Sequence, residues 1–145
     1  MLQVEHLSFQ YPGSAGDTLQ NLSFAIAKGE IFGFLGPSGS GKSTTQKILY
    51  KLLTGYRGDI LFENKPLYQW GREFYERIGV SFELPNHYIK LTAEENLRFF
   101  GSFYKKPADN IPYWLERLDL AQDANKLVSD FSKGMKMRLN FARAL

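Results

Sequence analysis

Apolar positions along the chain recur first with a period of two and later with a helical period, and the switch divides the sequence. Leu2, Val4, Leu7 and Phe9 are apolar among polar neighbours, which predicts a half-buried strand over Leu2 to Tyr11 with an irregular step around His6. Pro12 to Asp17 has the composition of a turn. Alternation resumes from Leu19 to Ala27 through Leu22, Phe24 and Ile26, and Lys28-Gly29-Glu30 leads into the short apolar run Ile31 to Leu35, expected to be a buried strand. Thr44 to Leu53 places Ile48, Leu49, Leu52 and Leu53 at helical spacing. Gly55 to Gly58 ends that helix. Asp59 to Glu63 predicts a strand, Asn64 to Pro66 a turn, and Leu67-Tyr68 the start of a short return strand. Gly71 to Arg77 predicts a short helix, and Ile78 to Phe82 a second core strand ending at Glu83.

Strand-like runs stop after Pro85. Thr92-Ala93-Glu94-Glu95 has the form of a capping box and opens a helix with Leu97, Phe99, Phe100 and Phe103, broken at Pro107. Pro112 suits the first turn of a further helix with Trp114, Leu115 and Leu118 on its apolar face. These aromatic stripes are expected in a core rather than around a cofactor. A last helix starts near Ser132 and runs through Met135, Leu139 and Ala142 to the end. The resulting order is an antiparallel β layer with a nucleotide core over residues 1–90, then a helical block over residues 91–145.

Composition narrows the classes. With 145 residues and 43% hydrophobic content, the chain has room for about one packed domain. The net charge of +3 comes from scattered basic residues, so nothing points to nucleic acid. The absence of cysteine excludes a disulfide framework and a thiolate metal site. His6 and His87 lie far apart and read as surface or turn residues, not a ligand pair. No apolar run has a membrane-spanning length, and the N-terminus lacks the form of a secretory signal. There is no internal repeat or low-complexity segment.

Between the run at Ile31 and the helix from Thr44 stands G-P-S-G-S-G-K-S, Gly36 to Ser43, which fits the phosphate-binding loop at every fixed position. Gly36, Gly39 and Gly41 permit the tight turn; Pro37, Ser38 and Ser40 complete the loop, and Thr44 follows it into the helix. Lys42 supplies a cation for terminal phosphates, and the Ser43 hydroxyl is suited to magnesium. Tyr11 can stack on an adenine or simply cover the edge of the β layer; the residues alone leave both open. Ser132 and Gly134 stand at a helix start whose N–H groups can face an anion.

Together with Tyr11 and the segment Leu91 to Leu97, the run Phe131-Ser132-Lys133-Gly134-Met135, followed by A-R-A-L at the end, makes the chain resemble the ATP-binding domain of ABC transporters. The resemblance covers essentially all 145 residues. It implies an α/β fold: a P-loop NTPase core, an antiparallel β layer and a helical subdomain bearing the signature motif. It implies that Tyr11 stacks on adenine. It also implies that Ser132 and Gly134 touch the γ-phosphate of ATP held by a second such domain, in a homo- or heterodimer. Lys133 and Met135 depart from the usual signature. Glu83 falls where the family has a glutamine; it is either a magnesium ligand, direct or through water, or a solvated glutamate. Leu84 to Lys90, including His87 and Tyr88, corresponds to the surface that meets a transmembrane permease, which would hold the subunit on the inner face of the membrane.

In the family a strand ending in Asp-Glu and a histidine loop follow A-R-A-L, whereas this sequence stops at Leu145. The chain is therefore expected to be a truncated domain that binds ATP and Mg2+ but lacks the hydrolytic carboxylates, is not an effective ATPase alone, and exposes an aggregation-prone face. The intact domain would be an ATPase driving transport, and the Leu91 segment with its phenylalanine-rich helix points to export. Two other readings are a P-loop kinase or nucleotidase using Glu83 for magnesium, and a non-catalytic ATP-binding regulatory module.

Overall fold

The structure, a computed structural model, describes residues 1–84, 86–105 and 110–145. The expected helix break at Pro107 and the turning point at Pro85 lie outside these residues. Two compact units are present, Met1–Gly71 and Arg72–Leu145.

The first unit is built on an antiparallel sheet of four strands in the order β2-β1-β3-β4. These are β1 (Leu2–Phe9), β2 (Leu19–Ile26), β3 (Arg57–Phe62) and β4 (Lys65–Pro66). The irregular step anticipated at His6 is a bulge. His6 has φ 52°, and the register of β1 shifts there against both neighbours. The extra residue returns Leu7 and Phe9 to the face already occupied by Val4, and all three are buried with Leu19 and Ile60. The return strand is Lys65–Pro66, not Leu67-Tyr68, which instead begins a 3-10 turn, Leu67–Gln69. Leu67 is thereby turned into the core.

Helix α1 (Lys42–Leu49) is shorter than its apolar spacing predicts. Lys51 takes a left-handed conformation with φ 63°, Leu52 N–H donates to the Lys47 carbonyl and Lys51 N–H to that of Ile48. This is the closure usually given to glycine, set four residues before Gly55. Leu52 is consequently exposed.

Two expected core strands are not strands among the described residues. Ile31 to Leu35 has alternating faces without a ladder partner. Phe32 and Phe34 pack on Phe24 of β2 with ring centroids 5.3 and 5.1 Å away, while Ile31 and Leu35 are 99% and 96% exposed. A run that is apolar on both faces has the pattern of a strand buried from both sides. Within the described residues only one face is covered. Ile78 to Phe82 likewise belongs to no strand among the described residues, so Glu83 sits in a bend and not at a strand end.

The second unit packs α2 (Ala93–Gly101), α3 (Ile111–Arg117) and α4 (Lys133–Ala142) around a core that includes Leu97, Leu115, Leu120, Val128, Phe131 and Leu139. The expected capping box is present: Glu95 N–H donates to Thr92 Oγ1 at 3.2 Å, and Thr92 N–H donates to Glu95 Oε2 at 2.8 Å. Pro112 lies in the first turn of α3, and the Asn110 side chain accepts from Tyr113 N–H. The phenylalanine stripe is only partly core. Phe103 lies beyond the end of α2, and it and Phe99 are exposed in a chain of edge-on rings with Tyr88 and Phe100. Neither ring faces the interior that Leu97 occupies.

His87 Nε2 donates to the Lys136 carbonyl at 3.0 Å, leaving Nδ1 buried and without a partner among the described residues. Desolvation pulls its pKa below 6.5, with the charges of Arg143 and Lys136 acting the same way against the opposing carbonyl bond. Because the folded pKa is depressed, the neutral ring's contribution is present above about pH 6.5 and is lost as pH falls through the folded value. Thermal melts of the full chain should therefore show falling stability from about pH 7.5 to about pH 5.5, with a shallower slope in His87→Gln. Thr92→Ala should lower unfolding stability by about 1 kcal/mol in urea titrations, because one capping acceptor is removed from a helix that packs on the core.

Candidate functional site

Loop Gly36 to Ser40 is exposed and leads into Gly41, the N-cap of α1. Gly41 has φ 87°, and a β-carbon there would overlap Leu19 Cδ2 and press on the Thr18 carbonyl. Both conformation and space therefore demand glycine at the turn into the helix. Thr45 secures that turn: its backbone N–H and its hydroxyl both donate to the Gly41 carbonyl, at 2.8 and 3.0 Å.

The ammonium of Lys42 folds back over its own loop. It donates to the carbonyls of Gly36 and Pro37 at 2.8 and 2.7 Å and to Ser40 Oγ at 3.3 Å. Ser40 N–H donates to the Pro37 carbonyl. Among the described residues, the N–H groups of Gly39, Gly41, Lys42, Ser43 and Thr44 donate to no protein acceptor. Unpaired donors at a helix start, with a lysine ammonium above them and no acidic residue in the first turn, form an anion-binding arrangement.

Tyr11 is brought to this helix. Its hydroxyl lies 3.2 Å from Thr44 Oγ1, and its ring meets Phe9 edge-on at 4.9 Å. Thr44 is buried with its hydroxyl engaged, so its backbone N–H is what it can offer a ligand. Ser43 stands exposed beside it at the second helical position. One hydroxyl suits magnesium, which takes few protein ligands when phosphate and water supply the rest. Among the described residues no group of three or more His, Asp or Glu could hold a metal by itself.

The remaining candidate residues lie in the second unit. Glu83 is exposed in its bend. Ser132 is the N-cap of α4 and accepts from Met135 N–H at 3.2 Å, which leaves its O–H free to donate elsewhere. Lys133 and Gly134 are exposed and Met135 is half-buried. A β-carbon at Gly134 would meet nothing nearer than Ser132 Oγ at 3.9 Å. Nothing among the described residues therefore requires glycine there. Residues 87–91 with Phe99 line an open apolar hollow of about 560 Å³ on the stretch expected to meet a partner.

Sequence reasoning missed the buried amides. Asn96 accepts from Tyr88 N–H at 2.9 Å and donates to the carbonyls of Tyr88 and Thr92 at 3.0 and 2.8 Å. Asn140 is fully buried in α4. The available signal was a polar residue on each helix's apolar stripe: Asn96 beside Ala93 and Leu97, and Asn140 beside Leu139.

No helix among the described residues is long and apolar enough to cross a membrane. The chain is 51% identical over its whole length to a fluoroquinolones export ATP-binding protein of Mycobacterium tuberculosis, of which it covers 48%. It spans about half the length of the curated relatives it matches. Among solved structures it superposes on an ATP-binding subunit of an ABC transporter with TM-score 0.83 and 31% identity, over 99% of this chain and 61% of that one. A dimeric ATP-binding cassette in a post-hydrolysis state, bound to ADP and Pi, matches with TM-score 0.81 and 26% identity, over 100% and 69%. Residues 19–145 match the ABC transporter family, and the chain belongs to it.

Proposed function

We propose that this chain is the nucleotide-binding part of an export subunit that binds magnesium ATP, pairs with a second ATP-binding domain and drives a membrane permease. The observation that carries the reading is the set of unpaired N–H groups from Gly39 to Thr44 beneath the Lys42 ammonium. Phosphate oxygens satisfy those donors, and Lys42 exchanges its loop carbonyls for the terminal phosphates. Gly36, Pro37, Ser38 and Ser40 shape the loop. Ser43 holds magnesium together with phosphate oxygens and water, and Glu83 is a carboxylate suited to ligate magnesium directly or through water. Tyr11, held by Phe9 and Thr44, presents its ring to adenine.

Ser132 and Gly134 serve the ATP of the partner domain, with Lys133 and Met135 beside them. The free O–H of Ser132 and the open space at Gly134 support this role, as does the dimeric cassette with ADP and Pi among the structural neighbours. The apolar hollow at residues 87–91, which overlaps the stretch Leu84 to Lys90, receives the permease, so the subunit works from the inner face of the membrane. The fluoroquinolones export ATP-binding protein at 51% identity supports export as the direction. In the full protein, hydrolysis of ATP by water, releasing ADP and phosphate, resets the dimer.

Titration calorimetry of the full chain with magnesium ATP tests the binding half. Lys42→Ala should weaken binding at least about tenfold. Tyr11→Ala should weaken it about three- to tenfold, while Tyr11→Trp retains affinity. Unchanged affinity in both alanine variants overturns the reading. Gly134→Ala tests the partner half: its melting temperature should stay within about 1 °C of the parent, since the site is open. ATP-dependent dimerisation on sizing chromatography should weaken at least about fivefold, because an added methyl intrudes where the partner's phosphate must approach.

A further inference from the structure

A buried amide in a helix interior is costly unless its donors and acceptor are met. Asn140 is fully buried in α4, where an apolar residue would pack without that cost. Its Nδ2 donates to Ser81 Oγ at 3.0 Å and to the Phe82 carbonyl at 2.6 Å, and its Oδ1 accepts from Arg143 Nη2 at 2.8 Å. The orientation is fixed by the partners: a carbonyl only accepts and a guanidinium only donates, so the amide has one satisfactory placement.

This contact is the centre of a series along α4. A β-carbon on Gly79 would overlap the Ala144 carbonyl, so the chain presses on the end of the helix there. Asn140 then grips Ser81 and Phe82. Arg143 donates from Nη1 to the Asn86 carbonyl at 2.9 Å, with its guanidinium 4.5 Å from the Phe100 ring centroid. His87 donates to the Lys136 carbonyl. Residues 140 and 136 are one turn apart on α4 and Ala144 lies just past its end, so the contacts from Gly79, Ser81, Phe82 and His87 run along one side of the helix. No strand ladder holds the loop among the described residues. The Phe82 carbonyl gripped by Asn140 belongs to the peptide that leads into Glu83. Eight residues earlier on the same helix, about 12 Å along its axis, stands Ser132.

We infer that Asn140 is a positioning residue that fixes the loop carrying Glu83 to the helix begun by Ser132, so that both move as one piece. The inference rests on the proposed function, in which Glu83 meets magnesium and Ser132 the partner's phosphate. A displacement at residues 83–87, on the partner-facing stretch, is then passed to Ser132 through α4. An apolar residue at 140 would keep the helix packed while letting the loop slide.

Asn140→Asp in the full chain keeps the side chain's size and its acceptor for Arg143, loses both donations and sets an acceptor against the Phe82 carbonyl. Leu139→Ala, in the neighbouring fully buried position, is the control for plain loss of stability. Asn140→Asp should speed amide exchange over residues 81–87 at least about tenfold. It should weaken ATP-dependent dimerisation about tenfold, the equivalent of two lost hydrogen bonds, with affinity for magnesium ATP within about twofold. Leu139→Ala should lower the melting temperature without that split. Ser81→Ala, which touches only the exposed side of the contact, should move exchange and dimerisation in the same direction by less, and it serves where Asn140→Asp fails to fold. Parallel losses in Asn140→Asp and Leu139→Ala, or unchanged exchange and dimerisation in both clamp variants, overturn the positioning role. No binding of magnesium ATP by the unsubstituted chain overturns the proposed function instead, and exchange over residues 81–87 still decides whether Asn140 holds the loop.

Discussion

Peptide N–H groups at the start of a helix have no partner within the helix, and the first unit is arranged around one such set. From Gly39 to Thr44, every N–H but that of Ser40 is without a protein acceptor among the described residues. Other features of the region follow from keeping those donors exposed. Gly41 must be glycine because the turn that presents them passes against Leu19 and Thr18. Thr45 closes the turn with a bond from its hydroxyl and another from its backbone, and so spares the loop from having to do it. Tyr11 is tied to Thr44, which fixes an aromatic ring beside the donors. Leu19 therefore has two tasks: it is a core residue of β2 and the wall against which the loop turns.

Much of this was legible because it is local. The phosphate loop, the capping box at Thr92, the proline in the first turn of α3 and the serine before α4 are each specified by residues a few positions apart, with a single physical cause. The sheet was also readable, since β1 and β2 alternate. Even the fault at His6 was visible as broken alternation, although only the register shows that a bulge repairs it. What could not be read is whether an extended segment finds a partner. Ile31 to Leu35 shows apolar residues on both faces, and its Phe32 and Phe34 do pack on Phe24. A strand exists only through a ladder, and a ladder depends on residues distant in sequence. The same applies to Ile78 to Phe82, whose contacts run to a helix.

The candidate site was legible unevenly for the same reason. Glycines, the lysine and the serine of the loop announce themselves by spacing. Asn140 and Asn96 do not, because a buried amide is meaningful only through the particular carbonyl it reaches. Asn140 bonds to residues nearly sixty positions earlier. A polar residue on an apolar stripe signals that something must satisfy it. It does not say what.

The helix starts themselves differ in a way that bears on function. Helix α2 is closed by its own residues: Glu94 and Glu95 stand in the first turn, and the box at Thr92 binds both ways. Helix α3 begins with a capping Asn110 and a proline, which has no N–H to offer. Helices α1 and α4, like α3, have no acidic residue in the first turn, but neither starts with a proline. Gly41 provides no side-chain cap at all, and Ser132 caps a single N–H. A sequence shaped only for stability would place a carboxylate at such ends, where it favours the helix by about 0.3–1 kcal/mol. Leaving both ends uncompensated, with Lys42 at one and Lys133 at the other, keeps their positive potential for an external anion. The loop at α1 can use that potential on a phosphate it holds itself. On the proposed function, the start of α4, with a free serine O–H and room at Gly134, takes a phosphate presented from outside, the division of labour expected where two such domains share their nucleotides.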